Sequence, residues 1–232
     1  MRSARARLAA AFAAIAVVGS TSAPVQGAEA RLAPVKIELP RPEFIGTRKD
    51  FVPTKHQEPP PREGQKPRPP FLAPEGTANV ALKKPVTGSD DQPFIGDLAQ
   101  VTDGDKGGRD GSFVELAPGR QWVQIDLKAA YSIHAFLVWH YHGEGRYYHD
   151  VVVQVADDAD FIDGVRTAYN SDYDNSSGLG IGKDLEYFET FEGRLISCKG
   201  VVARYVRLYS KGSTAGDMNH YVEVEVYGTP AK

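Results

Sequence analysis

Two segments that are far apart in the chain carry side chains suited to binding a hard cation. The first is the turn Asp103-Gly104-Asp105, and the second is the strand-like segment 221–228, which contains Glu223. An Asp-Gly-Asp turn offers carboxylate and carbonyl oxygens on a tightly bent backbone, and oxygen ligands are what calcium prefers in proteins. Glu223 would add a carboxylate from elsewhere, so the two segments predict an ion that joins the start of a domain to its end.

The first 30 residues have the layout of a secretory signal. Three arginines within the first seven residues precede the apolar run 8–18, and small residues ending at Ala30 follow. This order is typical of a cleaved export signal, and the apolar run is too short to span a bilayer. We therefore expect a secreted or periplasmic protein of bacterial type. Its mature chain should begin near Arg31 and contain no transmembrane segment.

Cysteine content and charge restrict how this protein can be stabilised and which partners it can bind. Cys198 is the one cysteine, so an exported protein of this sequence has no internal disulfide and depends on its core or on a metal. With Ile196 and Val201 nearby and no histidine within ten residues, Cys198 is expected to be a buried hydrophobic residue rather than a nucleophile. Residues 79–232 hold fifteen Lys or Arg against twenty-three Asp or Glu. This acidic balance argues against nucleic acid as a partner.

The region before residue 79 is rich in proline. Eleven of the sixteen prolines lie between Pro34 and Pro74, in a stretch with little hydrophobic periodicity. Such a composition cannot bury enough apolar area to fold alone. Residues 31–78 are therefore predicted to form a largely extended linker of polyproline type that acts as a spacer, with a dedicated peptide ligand as the alternative. The short apolar patches Phe44-Ile45 and Phe71-Leu72 could dock on the domain.

From residue 79 onward the pattern changes to short runs rich in Val, Ile, Tyr and Phe. The run 122–127 alternates so that Val123, Ile125 and Leu127 face one way, whereas the run 151–156 is apolar at nearly every position. The closing strand is expected to place its three valines, at positions 222, 224 and 226, inward. No segment longer than about ten residues keeps a helical period. The class is therefore all-β, and residues 79–228 have a normal length for one sandwich.

Six segments of this region resemble, in order, those of the discoidin or coagulation-factor C-type domain family. They are NVALKKPVT (79–87), TDGD (102–105), WVQIDL (122–127), VVVQVADD (151–158), ARYVRL (203–208) and EVEVYG (223–228). The resemblance covers essentially all of 79–228. It implies a galactose-binding-like jelly-roll β-sandwich that is non-catalytic and often contains calcium. Such domains serve as sugar-binding or adhesion modules attached to secreted enzymes and cell-surface proteins.

The resemblance implies a particular ligand set for a structural calcium ion. Its side-chain ligands would be Asp103 and Glu223, and Ser112 would add an oxygen. Backbone carbonyls would come from Gln100, Asp105 and Val222. Hard oxygen ligands in this number suit calcium, which takes six to eight. The alternative is a solvated turn beside an unrelated strand.

The resemblance also implies a sugar site in the loops at one end of the sandwich. The matching segment is 140–149, and its candidate ligand-binding residues are His140, His142, Arg146 and Tyr147. Arg and His donate to sugar hydroxyls, and an aromatic face stacks on the apolar face of a pyranose. Two alternatives stay open. The segment could be structural, with Tyr147 and Tyr148 packed at the rim and Arg146 paired with Glu144 or Asp150, or His140, His142 and His149 could bind a transition metal.

A long segment rich in turn formers, 169–183, is a second candidate ligand region. A loop of this size in a compact domain is often functional. Tyr173, Asp174 and Asn175 are predicted to border a ligand groove. The alternative is that the loop only covers a sheet edge.

These features predict a secreted, non-catalytic module that binds carbohydrate on a glycan, a polysaccharide or the cell envelope. The obvious carboxylate pair, Asp157-Asp158, consists of consecutive strand residues, which point to opposite faces and cannot act on one bond. The alternative function is an adhesion or accessory module that binds a protein partner or a membrane surface at the cell envelope. Phe94-Ile95 is its candidate apolar tip.

Overall fold

The regular structure of the protein consists almost entirely of β-strands. In a computed structural model, residues 31–43, 51–62, 64 and 66–231 are described. They form one short 3₁₀ helix (Leu98–Thr102) and eleven strands: β1 (Leu32–Pro34), β2 (Leu72–Pro74), β3 (Ala78–Asn79), β4 (Val86–Gly88), β5 (Val114–Leu116), β6 (Gln121–Trp139), β7 (Val152–Ala156), β8 (Arg166–Asn170), β9 (Arg194–Ser210), β10 (Asn219–Tyr221) and β11 (Glu223–Pro230). The described part contains no helix long and apolar enough to cross a membrane. The expected signal segment 1–30 and the pair Phe44-Ile45 lie outside the described residues.

Strands β6 and β9 run through both layers of a sandwich. They pair antiparallel, and their register shifts between Asp126 and Tyr131, close to Lys128, whose φ is 69°. Before this bend, β6 lies between β4 and the end of β9, and β7 and β8 continue that layer. After it, β6 lies between β11 and the start of β9, with β3 beyond β11. This arrangement confirms the all-β sandwich of antiparallel strands expected from the sequence.

Alternate strand residues fill the space between the two layers. Val123 and Ile125 of β6 are fully buried there, as the period of two predicts, and so are Val224 and Val226 of β11. Val222 was expected on the same side but packs in a separate cluster. It lies between β10 and β11 and within neither strand, so the alternation is interrupted at this residue.

A second apolar cluster lies on the outer face of the layer that contains β11. Leu137 and Trp139 of β6 are fully buried members of this cluster. Val35, Ile37 and Phe71 pack against it from the Pro-rich region. A bare apolar sheet face in water is unfavourable, so the region before the sandwich covers it.

The Pro-rich segment 31–78 is therefore not a free spacer. It is extended in its described parts, but β1 pairs with β2 inside it, and Arg31–Lys232 form one compact unit. The spacer expectation relied on proline content. It overlooked that a segment unable to fold alone can still pack against an apolar face provided by another part of the chain.

Candidate functional site

The turn that the sequence marks as a cation loop lies next to Glu223. Asp103 caps the end of the 3₁₀ helix, and its Oδ1 accepts a hydrogen bond from the Asp105 amide at 2.7 Å. Glu223 is completely buried, and its Oε2 accepts from the Gly104 amide at 3.1 Å. Its other oxygen, Oε1, has no hydrogen-bond partner. Burial, together with the nearby carboxylates of Glu225 and Asp103, raises the pKa of Glu223 to about 9.

This arrangement fits a calcium ion. A buried carboxylate with an unpartnered oxygen is unfavourable unless a cation compensates it, and the positive φ of 96° at Gly104 keeps the backbone of the turn next to that carboxylate. A methyl group added at Gly107 would lie 3.1 Å from Asp105 Oδ1 and 3.7 Å from Ser112 Oγ, so those two side chains are near each other. Ser112 and the backbone carbonyls named above remain predicted ligands.

The two histidines expected to hold a sugar lie inside the fold. His140 is fully buried, and its Nδ1 is 2.7 Å from Glu189 Oε1. His142 is also buried, and its Nε2 is 2.9 Å from the carbonyl oxygen of Lys106. A side chain without solvent access cannot contact a glycan. The contacts therefore favour the structural alternative for both residues.

Arg146 and Tyr147 are structural in the same way. Arg146 donates to Glu144 at 2.8 Å, one of the pairings weighed from the sequence, and its guanidinium lies over the ring of Tyr141. Tyr147 is fully buried, and its hydroxyl donates to the carbonyl oxygen of Glu58 at 2.7 Å. His140, His142, Arg146 and Tyr147 thus support the rim of the sandwich, and each of the four side chains is buried there.

A strap formed by residues 51–62 crosses the sandwich next to the loop 171–185. Two backbone hydrogen bonds join it to Glu186: the Glu58 amide donates to the Glu186 carbonyl at 2.8 Å, and the Glu186 amide donates to the His56 carbonyl at 2.9 Å. Arg194 holds Glu58 with two further bonds of 2.7 Å each. The strap is thereby fixed to the sandwich by backbone hydrogen bonds and a bidentate salt bridge.

A groove of about 430 Å³ lies between the strap and the loop 171–185. This volume is within the range of about 300–1,000 Å³ that is usual for small-ligand sites. The rings of His56 and Tyr173 stack with their centroids 3.7 Å apart, and Tyr173 remains 45% exposed. Tyr173 and Asp174, two of the predicted ligand-binding residues, therefore line a groove. The lining residues are Thr54, His56, Gln57, His149, Asp150, Tyr173, Asp174, Ser176, Glu186 and Lys211.

The loop beside the groove is held in place by its own hydrogen bonds. The carboxylate of Asp172 accepts from the amides of Ser176 and Ser177, both at 2.9 Å. Asn175 has a φ of 60°, and its Oδ1 accepts from the Gly180 amide at 2.7 Å. Asn175 thus stabilises a turn and does not line the groove, which corrects its expected role. Short polar side chains of this kind fold a loop locally without a hydrophobic core.

An imidazole–carboxylate pair forms the wall of the groove nearest the strap. His149 Nδ1 lies 2.7 Å from Glu186 Oε1, and Gln57 donates to Glu186 Oε2 at 2.8 Å. The hydrogen bond to Glu186 raises the pKa of His149 above its ordinary value, while burial opposes the shift and Asp150 adds to it. With Nδ1 engaged by Glu186, the free Nε2 is the ring nitrogen available to a ligand.

The pair is expected to stabilise the protein at low pH and to lose this effect as the pH rises. The folded pKa of His149 lies above the unfolded one, so its contribution is complete below the unfolded pKa and disappears as the pH passes the folded pKa. The side chain is 39% exposed, so the effect is small. In urea unfolding between about pH 6 and about pH 8, the free energy of unfolding should decline less with rising pH for His149→Asn than for wild type. His134→Asn is the control, because burial lowers the pKa of His134, so this residue contributes a stability that rises with pH. The decline of the unfolding free energy with pH should therefore be steeper for His134→Asn than for wild type. A decline for His149→Asn equal to that of wild type would contradict the prediction.

The transition-metal alternative is not supported by the contacts. His140, His142 and His149 each bind a different partner and do not form a common site. In the described residues, one group of three side chains has candidate ligand atoms within 4.8 Å of one another: Asp150, Asp172 and Asp174. The carboxylate oxygens of this group already accept hydrogen bonds from serine hydroxyls and backbone amides of the loop.

The remaining residues singled out from the sequence have identifiable surroundings. Asp157 pairs with Arg166 at 2.8 Å, and Asp158 accepts hydrogen bonds from the backbone of the following turn, so neither faces a common ligand. Cys198 is partly buried against the core, and burial raises its pKa to about 11, as expected for an unreactive thiol. Phe94 is 68% exposed, which is the exposure that the adhesion alternative requires.

Sequence reasoning missed most of the groove. Thr54, His56 and Gln57 lie in the segment interpreted as a spacer, and Glu186 and Lys211 lie outside any motif. One signal was present: the order Val-Lys-Ile-Glu at 35–38 alternates apolar and charged residues, which is typical of a segment with one buried face. It indicates that the Pro-rich region packs, although not where.

Comparison with known proteins yields similar solved structures. No protein-family model and no curated protein matches the chain. One similar structure is a chitosan-binding module from a Paenibacillus sp. IK-5 chitosanase/glucanase (20% identity, TM-score 0.48, 66% of this chain and 99% of that chain). Another is a Streptococcus pneumoniae fucose binding module (20%, 0.49, 66% and 97%). A third is CBM32 of AlyQ, in complex with 4,5-unsaturated mannuronic acid (16%, 0.45, 61% and 92%). All three are carbohydrate-binding modules, and the similarity concerns the fold alone.

Proposed function

We propose that this protein is a non-catalytic carbohydrate-binding module and that the groove between the strap and the loop 171–185 is its glycan site. The observation that carries the proposal is the stacked pair of His56 and Tyr173 at a groove with polar walls. Sugars present apolar faces that stack on aromatic rings and hydroxyls that need hydrogen-bond partners. The six-motif resemblance to discoidin domains supports the same function.

The polar groups of the groove suit a ligand rich in hydroxyls. Lys211 donates from a flexible stem, and the exposed Asp174 and the free nitrogen of His149 supply further hydrogen-bonding atoms. Lys211 also lies 3.7 Å from Asp150, so its charge is partly balanced. The groove therefore offers both donors and acceptors together with the ring pair, and recognition of a neutral sugar uses both.

Replacing Tyr173 is expected to weaken glycan binding. Tyr173→Ala removes one ring of the stack, so affinity should fall roughly tenfold on loss of an aromatic contact. A glycan array carrying galactose, fucose, N-acetylglucosamine, glucosamine and uronate oligosaccharides measures this. Phe94→Ala is the matched control, because Phe94 is exposed but does not line the groove. Silence of the folded wild type on every glycan would overturn the function, and unaffected binding by Tyr173→Ala would overturn the site.

A structural calcium ion at Asp103 and Glu223 is the second part of the proposal. Its support is the buried carboxylate oxygen of Glu223 that has no hydrogen-bond partner. Bound there, calcium supplies positive charge between the 3₁₀ helix and β11, and it has no role in holding the glycan. The groove is lined by residues of other elements.

Non-catalytic binding and export complete the proposal. The imidazole–carboxylate pairs His140–Glu189 and His220–Glu115 are largely buried, and His149–Glu186 is fixed by the strap. In each of these pairs the imidazole is engaged by a carboxylate and not by a serine or cysteine that it could activate, and hydrolysis through a covalent intermediate would require such a nucleophile. The N-terminal segment supports a secreted or periplasmic location, where glycans of the cell envelope would be the ligands.

A further inference from the structure

We propose that the strap forms part of the glycan site: His56 contacts the ligand, and binding requires the strap to be docked on the sandwich. This inference rests on the proposed function, because it concerns the same groove. It adds that the site is built from two distant parts of the chain. The sandwich alone, residues 79–228, would then lack one wall of its own binding site.

The strap holds its position without help from a ligand. Thr54 and Gln57 close a turn, in which the Gln57 amide donates to the Thr54 carbonyl at 3.2 Å and the Thr54 amide donates to Gln57 Oε1 at 3.1 Å. Phe51 stacks on Tyr147 with ring centroids 5.7 Å apart. With the Glu58–Arg194 ion pair, these contacts anchor the strap outside the groove, so the groove is preformed.

The strap contributes one ring of the aromatic pair. His56 and Tyr173 are almost parallel, with an interplanar angle of 11°. A parallel stack covers one face of each ring and leaves the opposite faces for other contacts. It also restrains Tyr173, which would otherwise be a mobile side chain at 45% exposure on a loop. A ligand in the groove therefore meets a platform that exists only while the strap is docked.

The strap also holds the polar wall opposite the loop. Gln57 donates to Glu186 Oε2, and Glu186 in turn orients His149 through its other oxygen. The amide and the carbonyl of Glu186 both form hydrogen bonds with the backbone of the strap. Undocking the strap would thus release the ring pair and the restraint on Glu186 together. The opposite possibility, a strap that plugs the groove and is displaced by ligand, predicts tighter binding when His56 is removed.

Three strap variants test this inference on the chain that begins at Arg31. His56→Ala removes the ring, Glu58→Ala releases the anchor without altering a lining residue, and Lys55→Ala changes an exposed strap residue that does not line the groove. On the same glycan array, His56→Ala and Glu58→Ala should each bind about fivefold to tenfold more weakly, and Lys55→Ala should bind like wild type. Proteolysis within the strap should accelerate for Glu58→Ala alone.

The possible outcomes separate this inference from the proposed function. Weaker binding by both variants, with unchanged unfolding of the sandwich, supports a strap-built site. Wild-type affinity in both variants, while Tyr173→Ala loses binding, overturns the inference and leaves the proposed function intact. Tighter binding by His56→Ala overturns it in favour of a plug. No binding by the folded wild type overturns both.

Discussion

A chain that begins at Asn79 is expected to aggregate or unfold under conditions in which the chain that begins at Arg31 is stable. Removing the Pro-rich region exposes the outer apolar cluster around Leu137 and Trp139, both fully buried in the intact protein. Full burial of one large apolar side chain is worth about 1.5–3 kcal/mol, so losing three partly buried partners costs roughly 3–4 kcal/mol. The free energy of unfolding of a native domain is only about 5–15 kcal/mol, so a loss of this size is a large fraction of the total.

Urea unfolding of the two chains, together with light scattering, measures this effect. Two neighbouring residues provide point variants within the intact chain: Phe71 packs against the cluster, whereas Leu72 is 53% exposed. Phe71→Ala should lower the free energy of unfolding by about 1–2 kcal/mol, below the value for a fully buried Phe, and Leu72→Ala should change it little. Equal stability of the two chains would mean that the Pro-rich region is a spacer after all.

The strand framework was predictable because its signal is local. Alternation along 122–127 places Val123 and Ile125 in the core, and the Asp-Gly-Asp turn with Glu223 follows from side-chain chemistry that any reader of the sequence can see. The fold then follows from several such segments in order. The strand assignments need only residues within one strand, whereas joining the turn to Glu223, 119 positions from Gly104, relied on the chemistry of calcium ligands and on the family resemblance.

The groove was not predictable, because its parts meet only in the folded protein. His56 and Tyr173 lie in separate regions of the chain, and no local pattern links them. His140 shows the reverse error: a histidine beside glycines and tyrosines suggests a sugar contact, yet Glu189, 49 positions further on, pairs with it in the interior. A buried polar side chain is tolerated once its partner is present, and sequence alone does not identify that partner.

Calcium is expected to stabilise the protein strongly, and Glu223→Gln to abolish this effect. An ion present at about one hundred times its dissociation constant contributes about 2.7 kcal/mol, provided it binds the folded state alone. For a domain of this size that corresponds to a rise of roughly 5–10 °C in the thermal midpoint. The reason lies at Glu223, where a fully buried carboxylate has one oxygen without a partner. The amide of a glutamine can still accept from Gly104 but carries no charge for the ion.

Glu225 supplies the matched control for this experiment. It lies two residues further along β11, but its carboxylate is paired with Lys106 at 2.7 Å and accepts from the Tyr227 hydroxyl at 2.6 Å. Glu225→Gln should therefore lower stability in chelator and calcium alike while preserving the calcium-dependent increment. Glu223→Gln should be about as stable as wild type in chelator, because without an ion the raised pKa of Glu223 keeps its carboxyl protonated at neutral pH, and the glutamine amide is likewise uncharged. A wild-type midpoint that is the same in calcium and in chelator would exclude the ion, and an increment that survives Glu223→Gln would place it elsewhere.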